Sequence, residues 1–280
     1  MRRRIPLLLA LAVGFAVWTT TLASAAGPSP GLSSASVGLV SGKLRYVAQP
    51  ASTTTEIDVL SRQTSRVLRH MRLKGVWGIP LVAYDRTAEG LFPNGRTLLL
   101  AQNLYDGSTL RTTTKFTLVD TRRMKVSRRI HLKGAFAFDA ISGDGRYLYL
   151  IEYFSPEDPS SYRVRAYDLR RAGLLDRIVS DKRSWATDMT GLPISRVWKE
   201  GWAYTLYVAN ARPLFIHALD TRNVAAVCIN LPWKSSPDRV FDYRLRVDGD
   251  DHLVVRGPNG RALAVIDRQT FKVISAVSNP

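Results

Sequence analysis

The sequence predicts an all-β protein, namely a β-propeller of about five blades with four antiparallel strands each. Two segments recur along the chain, and no part beyond residue 26 has a sustained helical period. The first recurring segment is a glycine followed by a short apolar strand, at Gly42, Gly95, Gly145, Gly201 and Gly249. The second is a β-rich strand that ends in aspartate, at Asp58, Asp120, Asp168, Asp220 and Asp267. These aspartates lie roughly 50 residues apart, which is the period of a propeller blade.

The third repeat shows the predicted strand order most clearly. Residues 135–142, which begin with alternating alanine and phenylalanine, have the alternation of an inner strand, and 143–145 are Gly-Asp-Gly, which favours a tight turn. The continuous apolar character of 146–151 suits a strand packed on both faces. Residues 162–168 alternate again, and 174–179 supply the outermost strand. The sequence therefore predicts one four-stranded blade here.

The other repeats follow with variations. In the second repeat, 118–126 place a turn after Asp120, whose side chain can close that turn by accepting nearby backbone amides. The first and second repeats end in nearly the same sequence, at 71–75 and 130–134. The fourth repeat carries an apparent insert over 184–199, a length variation typical of exposed loops.

Residues 1–26 have the pattern of a signal peptide. Arginines occupy positions 2–4, an apolar stretch covers 5–18, and the small-residue site Ala-Ser-Ala lies at 23–25. The apolar stretch is short for a membrane span. We therefore expect export with removal of this leader, and membrane attachment only if the leader stays uncleaved.

One propeller domain is expected over 37–280, preceded by a flexible tether at 27–36. The C-terminal segment 271–277 reads as an outer strand, so the ring is expected to close between it and the segment after Ser36. Cys228 is the only cysteine, so no intramolecular disulfide is possible and the thiol is expected to be buried and inert.

The chain is strongly basic, with a formal net charge of +17. Such a charge favours a protein partner or an anionic polymer or carbohydrate of the cell envelope. Alternatively, a codon bias towards arginine would also make the chain basic. The arginines are spread over every repeat and do not form one basic block. Because no nucleic-acid-binding motif is present, no specific nucleic-acid partner is expected.

The repeats resemble the YVTN/WD40-like β-propeller repeats of exported bacterial proteins. The segments that carry the resemblance are 142–150 with 164–168, and 118–126. It extends over most of 37–280 and implies a fold without implying an activity, since members of that superfamily range from binding scaffolds to lactonases and quinoproteins. Common members carry seven blades, so about five implies a small ring or further degenerate blades.

Three aspartates are candidates for a site at the mouth of the channel. Asp139 and Asp242 occupy similar positions before predicted turns, and Asp188 is the candidate equivalent in the fourth repeat. Converging carboxylates could bind calcium or a cationic substrate, with Arg244 beside Asp242 as a further ligand-binding residue. Alternatively, each carboxylate caps a strand or pairs with an arginine. The alternative is favoured, so no cofactor is expected and calcium stays open.

Aromatic residues cluster in the fourth repeat. Trp185 and Trp198 lie in the apparent insert and are candidates for a platform on which a sugar ring stacks. Trp202 and Tyr204 lie in an apparent strand, where large side chains more often fill the wedge between blades.

No nucleophile elbow, phosphate-binding loop or dinucleotide fingerprint occurs in the sequence. The favoured function is therefore a non-catalytic binding or scaffolding module at the cell envelope. Two alternatives stay open: a hydrolase or lactonase with a carboxylate-lined channel mouth, and a structural subunit of an envelope complex.

Overall fold

The computed structural model describes residues 29–154, 160–183, 187–209, 213–233, 237–278 and residue 280. Its regular structure is β-strand apart from one helical turn, and every pairing between its strands is antiparallel. No helix in these ranges is long and apolar enough to cross a membrane. The predicted all-β class is confirmed.

The first two repeats contain nine of the strands. The first sheet pairs in chain order and consists of β1 (Leu39–Ser41), β2 (Leu44–Pro50), β3 (Thr54–Ser61) and β4 (Val67–Lys74). The second sheet pairs in the order β5 (Thr97–Ala101), β8 (Thr113–Asp120) and β9 (Lys125–Lys133). Between its first two strands stands a small hairpin of β6 (Tyr105–Asp106) and β7 (Thr109–Leu110).

The remaining three sheets each keep the chain order of their strands. The third sheet consists of β10 (Ala135–Ile141), β11 (Tyr147–Tyr153), β12 (Ser161–Asp168) and β13 (Gly173–Val179), with the short β14 (Met189–Thr190) beside β12. The fourth consists of β15 (Leu192–Lys199), β16 (Trp202–Val208), β17 (Phe215–Asp220) and β18 (Ala225–Asn230). After the helical turn α1 (Pro237–Val240) comes the fifth sheet, with β19 (Arg244–Asp248), β20 (His252–Arg256), β21 (Ala262–Asp267) and β22 (Val273–Ala276).

The second sheet has three regular strands where four were predicted. In place of a fourth, inner strand, two isolated bridges join Gly78 to Ala101 and Leu91 to Leu98 along the edge of β5 that does not pair with β8. Pro80 and Pro93 lie in this stretch and have no N–H to donate to a ladder. The chain therefore runs irregularly here between the first and second sheets.

The recurring glycines are confirmed as turn residues. All five have positive φ, between 55° and 82°, a backbone conformation that glycine adopts without steric cost. At Gly201 an added Cβ would also lie 2.6 Å from Nε of Arg222, so that side chain would have to move. Four of these glycines lie between the first and second strands of their sheets, and Gly95 directly precedes β5, the first regular strand of the second sheet.

The recurring aspartates close turns as predicted in four of the five repeats. Oδ1 of Asp120 accepts the backbone N–H groups of Arg122 and Arg123 at 2.9 and 3.0 Å. The same two hydrogen bonds, accepted from the backbone N–H groups two and three residues ahead, are found at Asp168, Asp220 and Asp267.

The assignment of the first aspartate is wrong. Strand register places Ser61 opposite Leu44, as Asp120 lies opposite Thr97, so Ser61 occupies the repeat position predicted for Asp58. The Ser61 hydroxyl accepts the N–H of Thr64 at 3.2 Å and substitutes for the carboxylate.

Asp168 provides a pH-dependent contribution to stability. Its carboxylate accepts bonds from Nη2 and Nε of Arg146 at 2.7 and 3.1 Å, which with the backbone amides lowers its pKa to about 2 despite burial. A carboxyl group with a lowered folded-state pKa stabilises the fold above its unfolded pKa and loses that effect as pH falls. We expect Asp168→Asn to lower the Tm at neutral pH, and this difference to shrink between about pH 4 and pH 2. Thermal unfolding of both proteins across that range checks it; a difference independent of pH would contradict it.

The hydrophobic core is divided among the interfaces between successive sheets. Four clusters of buried side chains join the first sheet to the second, the second to the third, the third to the fourth and the fourth to the fifth. The first strands of the third, fourth and fifth sheets lie side by side, since β15 contacts β19 and is ion-paired to β10. Sheets packed face to face around converging inner strands form a β-propeller.

The predicted ring closure is not found. Within the described ranges, β22 pairs with β21 alone and no buried cluster joins the fifth sheet to the first. The segment at 31–33 instead bonds to 79–81, with Ser33 N–H donating to the carbonyl of Ile79 at 2.7 Å. This part of the predicted tether is therefore packed against the domain. Each predicted repeat contains one sheet, and the blade number stays a prediction.

Candidate functional site

A buried ion pair lies where the inner strands meet. Asp139 on β10 accepts a hydrogen bond from Nη2 of Arg196 on β15, and both side chains are almost fully buried. Burial alone would lower the pKa of Arg196, but the negative charges of Asp139 and Glu89 raise it above its usual value. The guanidinium is therefore a permanent cation inside the domain.

Arg196 is incompletely satisfied by its neighbours. Its Nε and Nη1 are buried and have no hydrogen-bond partner among the described residues. Its backbone N–H donates to a carboxylate oxygen of Asp85 at 3.2 Å. Arg196 therefore attracts the carboxyl groups of Asp139 and Glu89 through its charge and binds Asp85 through its backbone N–H.

The segment 82–92 brings two of these carboxylates across the interior. Tyr84 and Asp85 donate their backbone N–H groups to the carbonyls of Pro193 and Ile194, both at 2.9 Å. The residues that follow return to the second sheet, where Leu99 donates its N–H to the carbonyl of Gly90 at 2.8 Å. The segment therefore joins the inner strand of the fourth sheet to the second sheet.

Glu89 ends this crossing beside Trp198. The indole Nε1 of Trp198 on β15 donates to Oε1 of Glu89 at 2.6 Å. Burial raises the pKa of Glu89 to about 7, an effect that Arg196 and the Trp198 hydrogen bond partly offset. Glu89 therefore changes its charge near neutral pH.

A pocket of about 470 Å³ opens at this end of the domain, and we refer to it as the mouth pocket. Four of the sheets contribute to it through their inner strands or the turns that follow these strands. Its wall combines apolar side chains with the Glu89–Trp198 pair and includes Leu39, Val40, Glu89, Phe92, Ile141 and Trp198. The indole of Trp198 and the side chain of Val40 are both partly exposed, at 37% and 49%. The mouth pocket can therefore offer an aromatic face, an apolar wall and one titratable carboxyl group to a ligand.

The three predicted carboxylates do not come together. Asp139 lies inside β10 at an irregularity between Phe138 and Ala140, so the local bulge turns it into the interior. Asp188 lies before β15 and Asp242 lies before β19, so neither occupies the place inside the first strand of its sheet that Asp139 has in β10. The predicted equivalence of Asp188 and Asp242 with Asp139 is therefore wrong.

Asp188 lies on a different cavity, of about 630 Å³, between the third and fourth sheets. This cavity also contains His217, whose pKa burial lowers to about 4, and Cys228, whose pKa burial raises to about 11. Both groups are therefore neutral at pH 7. The predicted burial of the Cys228 thiol is wrong, since Cys228 is half-buried and lines this cavity, but its raised pKa agrees with the predicted low reactivity.

Asp242 is exposed in the turn after α1. Arg244 donates from Nη1 to the carbonyl oxygens of Phe241 and Tyr243, both at 2.8 Å, and so stabilises the approach to β19. Neither residue lines the mouth pocket. In the described ranges, no group of three or more His, Cys, Asp and Glu side chains is placed to hold a metal ion, and calcium stays a prediction.

The predicted aromatic residues divide into two sets. Trp185 lies outside the described residues. Trp198 is on β15 and not in an insert, because regular pairing begins at Leu192. Trp202 stacks on Tyr204 with ring centroids 6.0 Å apart and contacts Phe271 of the fifth sheet at 5.2 Å. These rings fill the wedge between two sheets, which was the favoured alternative.

Sequence reasoning missed Asp85, Glu89 and Arg196. All three belong to the site through contacts that join residues more than 100 positions apart, such as Glu89 with Trp198. One signal was present, since 84–94 expand the second repeat before its turn. An expansion at that place predicts a loop, and its passage through the interior follows only from the tertiary contacts.

Fold and site together define a β-propeller protein with a pocket at one end of its converging inner strands. No family model matches the chain, and no curated protein matches it. The chain is similar in structure to dihydro-heme d1 dehydrogenase NirN, with 14% identity and a TM-score of 0.49. That match covers 88% of this chain and 46% of the other, so the chain spans about half the length of NirN.

Two further solved structures are similar. The β-propeller domain of the Trilobed protease from Pyrococcus furiosus has 8% identity and a TM-score of 0.43, covering 84% of this chain and 67% of that one. BamB from Moraxella catarrhalis has 12% identity and a TM-score of 0.40, covering 82% and 63%. At such identities the likeness extends to the fold alone.

Proposed function

We propose that this protein is an exported propeller of the cell envelope that binds a carbohydrate in the mouth pocket without catalysing a reaction. The observation that carries the proposal is the Trp198 indole, which is partly exposed and fixed by its hydrogen bond to Glu89. Sugar rings bind through an apolar face on an aromatic ring and through hydroxyl groups on a nearby polar side chain. Trp198 and Glu89 supply both elements within one pocket.

The state of Asp139 supports a binding role over a catalytic one. A catalytic carboxylate must reach the substrate and exchange protons with it. Asp139 is buried and its charge is neutralised by Arg196, so it acts within the domain. The proposed location outside the cytoplasm depends on the charged, short and apolar leader at 1–26.

Quenching of tryptophan emission tests this function. A panel of short neutral and anionic oligosaccharides is titrated into the purified protein and into Trp198→Phe. We expect at least one saccharide class to quench the emission of the unmodified protein, with an at least tenfold loss of affinity in Trp198→Phe, equal to about 1.4 kcal/mol. Trp202→Phe is the matched control, since this indole packs between sheets. Equal quenching in Trp198→Phe and the unmodified protein would contradict the proposal.

A hydrolase is the second candidate, and the pKa of Glu89 favours it. A carboxyl group with a pKa of about 7 is suited to general acid–base catalysis at neutral pH. Glu89→Gln separates the two candidates because glutamine keeps an acceptor for the Trp198 N–H and removes the titratable proton. Retained binding with no turnover in either protein supports the binding module. Turnover that disappears in Glu89→Gln would establish the hydrolase instead.

A further inference from the structure

A second surface lies where the outer strands of the first and second sheets diverge. Apolar side chains join these two sheets, with Val59 of β3 in the same buried cluster as Val119 of β8. Blades separate towards the rim of a propeller, so side chains further out on the same two faces border an open cleft.

Five basic side chains border this cleft. On the second sheet, Lys115 shares the face of Thr117 and Val119 by strand alternation, and the residues opposite share it too. On the first sheet, Arg69 lies opposite Val59 on the face that packs towards the second sheet. We call this set the basic cleft, consisting of Arg69, Lys115, Arg129, His131 and Lys133.

The charges of the basic cleft are uncompensated. None of the ion pairs formed by the described residues includes a member of this set. Lys115, Arg129, His131 and Lys133 are exposed, and the buried Nε of Arg69 has no hydrogen-bond partner.

The arrangement also places like charges together. Lys115 lies directly opposite His131, and Arg129 and Lys133 are the diagonal neighbours of Lys115. Like charges across a strand pair destabilise a sheet. No acidic side chain of the described ranges pairs with Lys115 or with its diagonal neighbours Arg129 and Lys133, so three positive charges lie close together on this face.

The corresponding positions of the first sheet are neutralised. There Glu56 lies opposite Arg72 and Asp58 lies opposite His70, and both pairs form ion pairs. Lys115 stands where the first sheet has Glu56, because both lie opposite the residue two before the Lys-Gly that ends the repeat. The third sheet likewise pairs Arg163 with Glu152. The third sheet has a base, Arg163, at the position of Lys115, but Glu152 neutralises it, so among these three sheets only the base of the second sheet lacks an acidic partner.

We propose that the basic cleft binds a linear polymer rich in phosphate groups. Arg129, His131 and Lys133 succeed one another on one face of β9, about 7 Å apart, since a strand advances about 3.4 Å per residue. A row of basic side chains, in which Arg129 and Lys133 carry permanent positive charges, suits an extended chain with negative charges at regular intervals, whereas a single small anion would engage only part of it. This surface is separate from the mouth pocket, and the proposal does not depend on the carbohydrate function.

The test uses a short linear inorganic polyphosphate as the probe and Lys115→Glu as the variant. This substitution copies the charge pattern of the first sheet, so we expect an unchanged or higher Tm. We expect the affinity for polyphosphate to fall about tenfold at low salt and the salt dependence of binding to weaken. Lys43→Glu, an exposed change of equal charge outside the cleft, is the matched control and should lose much less affinity.

The outcomes are distinct. If Lys43→Glu weakens binding as much as Lys115→Glu, the net charge of the whole protein attracts the polymer and the proposal is wrong. A fall in Tm with unchanged affinity would show that Lys115 is structural and would also overturn it. Binding of a glycerol-phosphate polymer and of a single-stranded dT oligonucleotide is measured in parallel. If the affinity for both depends on Lys115, the tighter of the two identifies the kind of phosphate polymer that the cleft binds. Stronger, Lys115-dependent binding to phosphatidylglycerol vesicles than to any of these polymers would replace the polymer with a membrane surface.

Discussion

Replacing Arg196 with methionine is expected to lower the free energy of unfolding by about 3–5 kcal/mol, one of the largest effects of any single substitution in this domain. The substitution leaves the buried carboxylate of Asp139 without its cation. An uncompensated buried charge costs more than the pair itself contributes, because the charge has lost its hydration. For a domain of this size the Tm should fall by roughly 10 °C.

Two further variants make this prediction specific. Adding Asp139→Leu to Arg196→Met removes both charges, and we expect most of the lost stability to return. Arg256→Met is the control, because its pairing with Asp248 at 3.9 Å is solvent-exposed and such pairs contribute about 1 kcal/mol at most. A double variant that is no more stable than Arg196→Met would show that Arg196 acts through packing and not through its charge.

The repeated turns could be predicted because the chemistry of each turn is local. A glycine with positive φ and an aspartate that accepts backbone amides two and three residues ahead both act within a few positions of the chain. The exception at Ser61 follows the same rule, since a hydroxyl can replace the carboxylate. Ser61 was not predicted because only the strand register shows that it is equivalent to the aspartates of the other repeats.

The candidate site was predicted less well because its contacts are not local. Asp139 was identified from its position in an inner strand, and the alternative that it pairs with an arginine is confirmed by Arg196. Asp188 and Asp242 were grouped with it from their places in the repeats, but the first strands of their sheets begin only at Leu192 and Arg244, and those strand starts depend on tertiary pairing. Trp198 was identified, but its partner Glu89 lies 109 positions away.

A threonine whose role was not predicted from the sequence occurs at the same place in two repeats. The first and second repeats end in nearly the same sequence, and in both a buried threonine forms hydrogen bonds with the backbone at that end. Thr55 donates to the carbonyl of Gly75 at 2.8 Å and accepts the N–H of Trp77 at 2.9 Å. Thr114 makes the same two bonds with Gly134 and Phe136, both at 2.8 Å. Each hydroxyl satisfies two backbone groups where the chain leaves the outer strand.

Replacing Thr55 with valine is therefore expected to destabilise the domain by about 2–4 kcal/mol, although valine has the same shape. The Thr55 side chain is fully buried, and its loss leaves the Gly75 carbonyl and the Trp77 N–H without partners. Chemical denaturation measures the change, and Thr113→Val, at an exposed position of β8, should stay within about 0.5 kcal/mol of the unmodified protein. Because the two threonines share no bonding partner, Thr55→Val and Thr114→Val should be nearly additive. Equal stability of Thr55→Val and Thr113→Val would mean that water or a shifted backbone replaces the hydroxyl, and the repeated bonds would then contribute little to the fold.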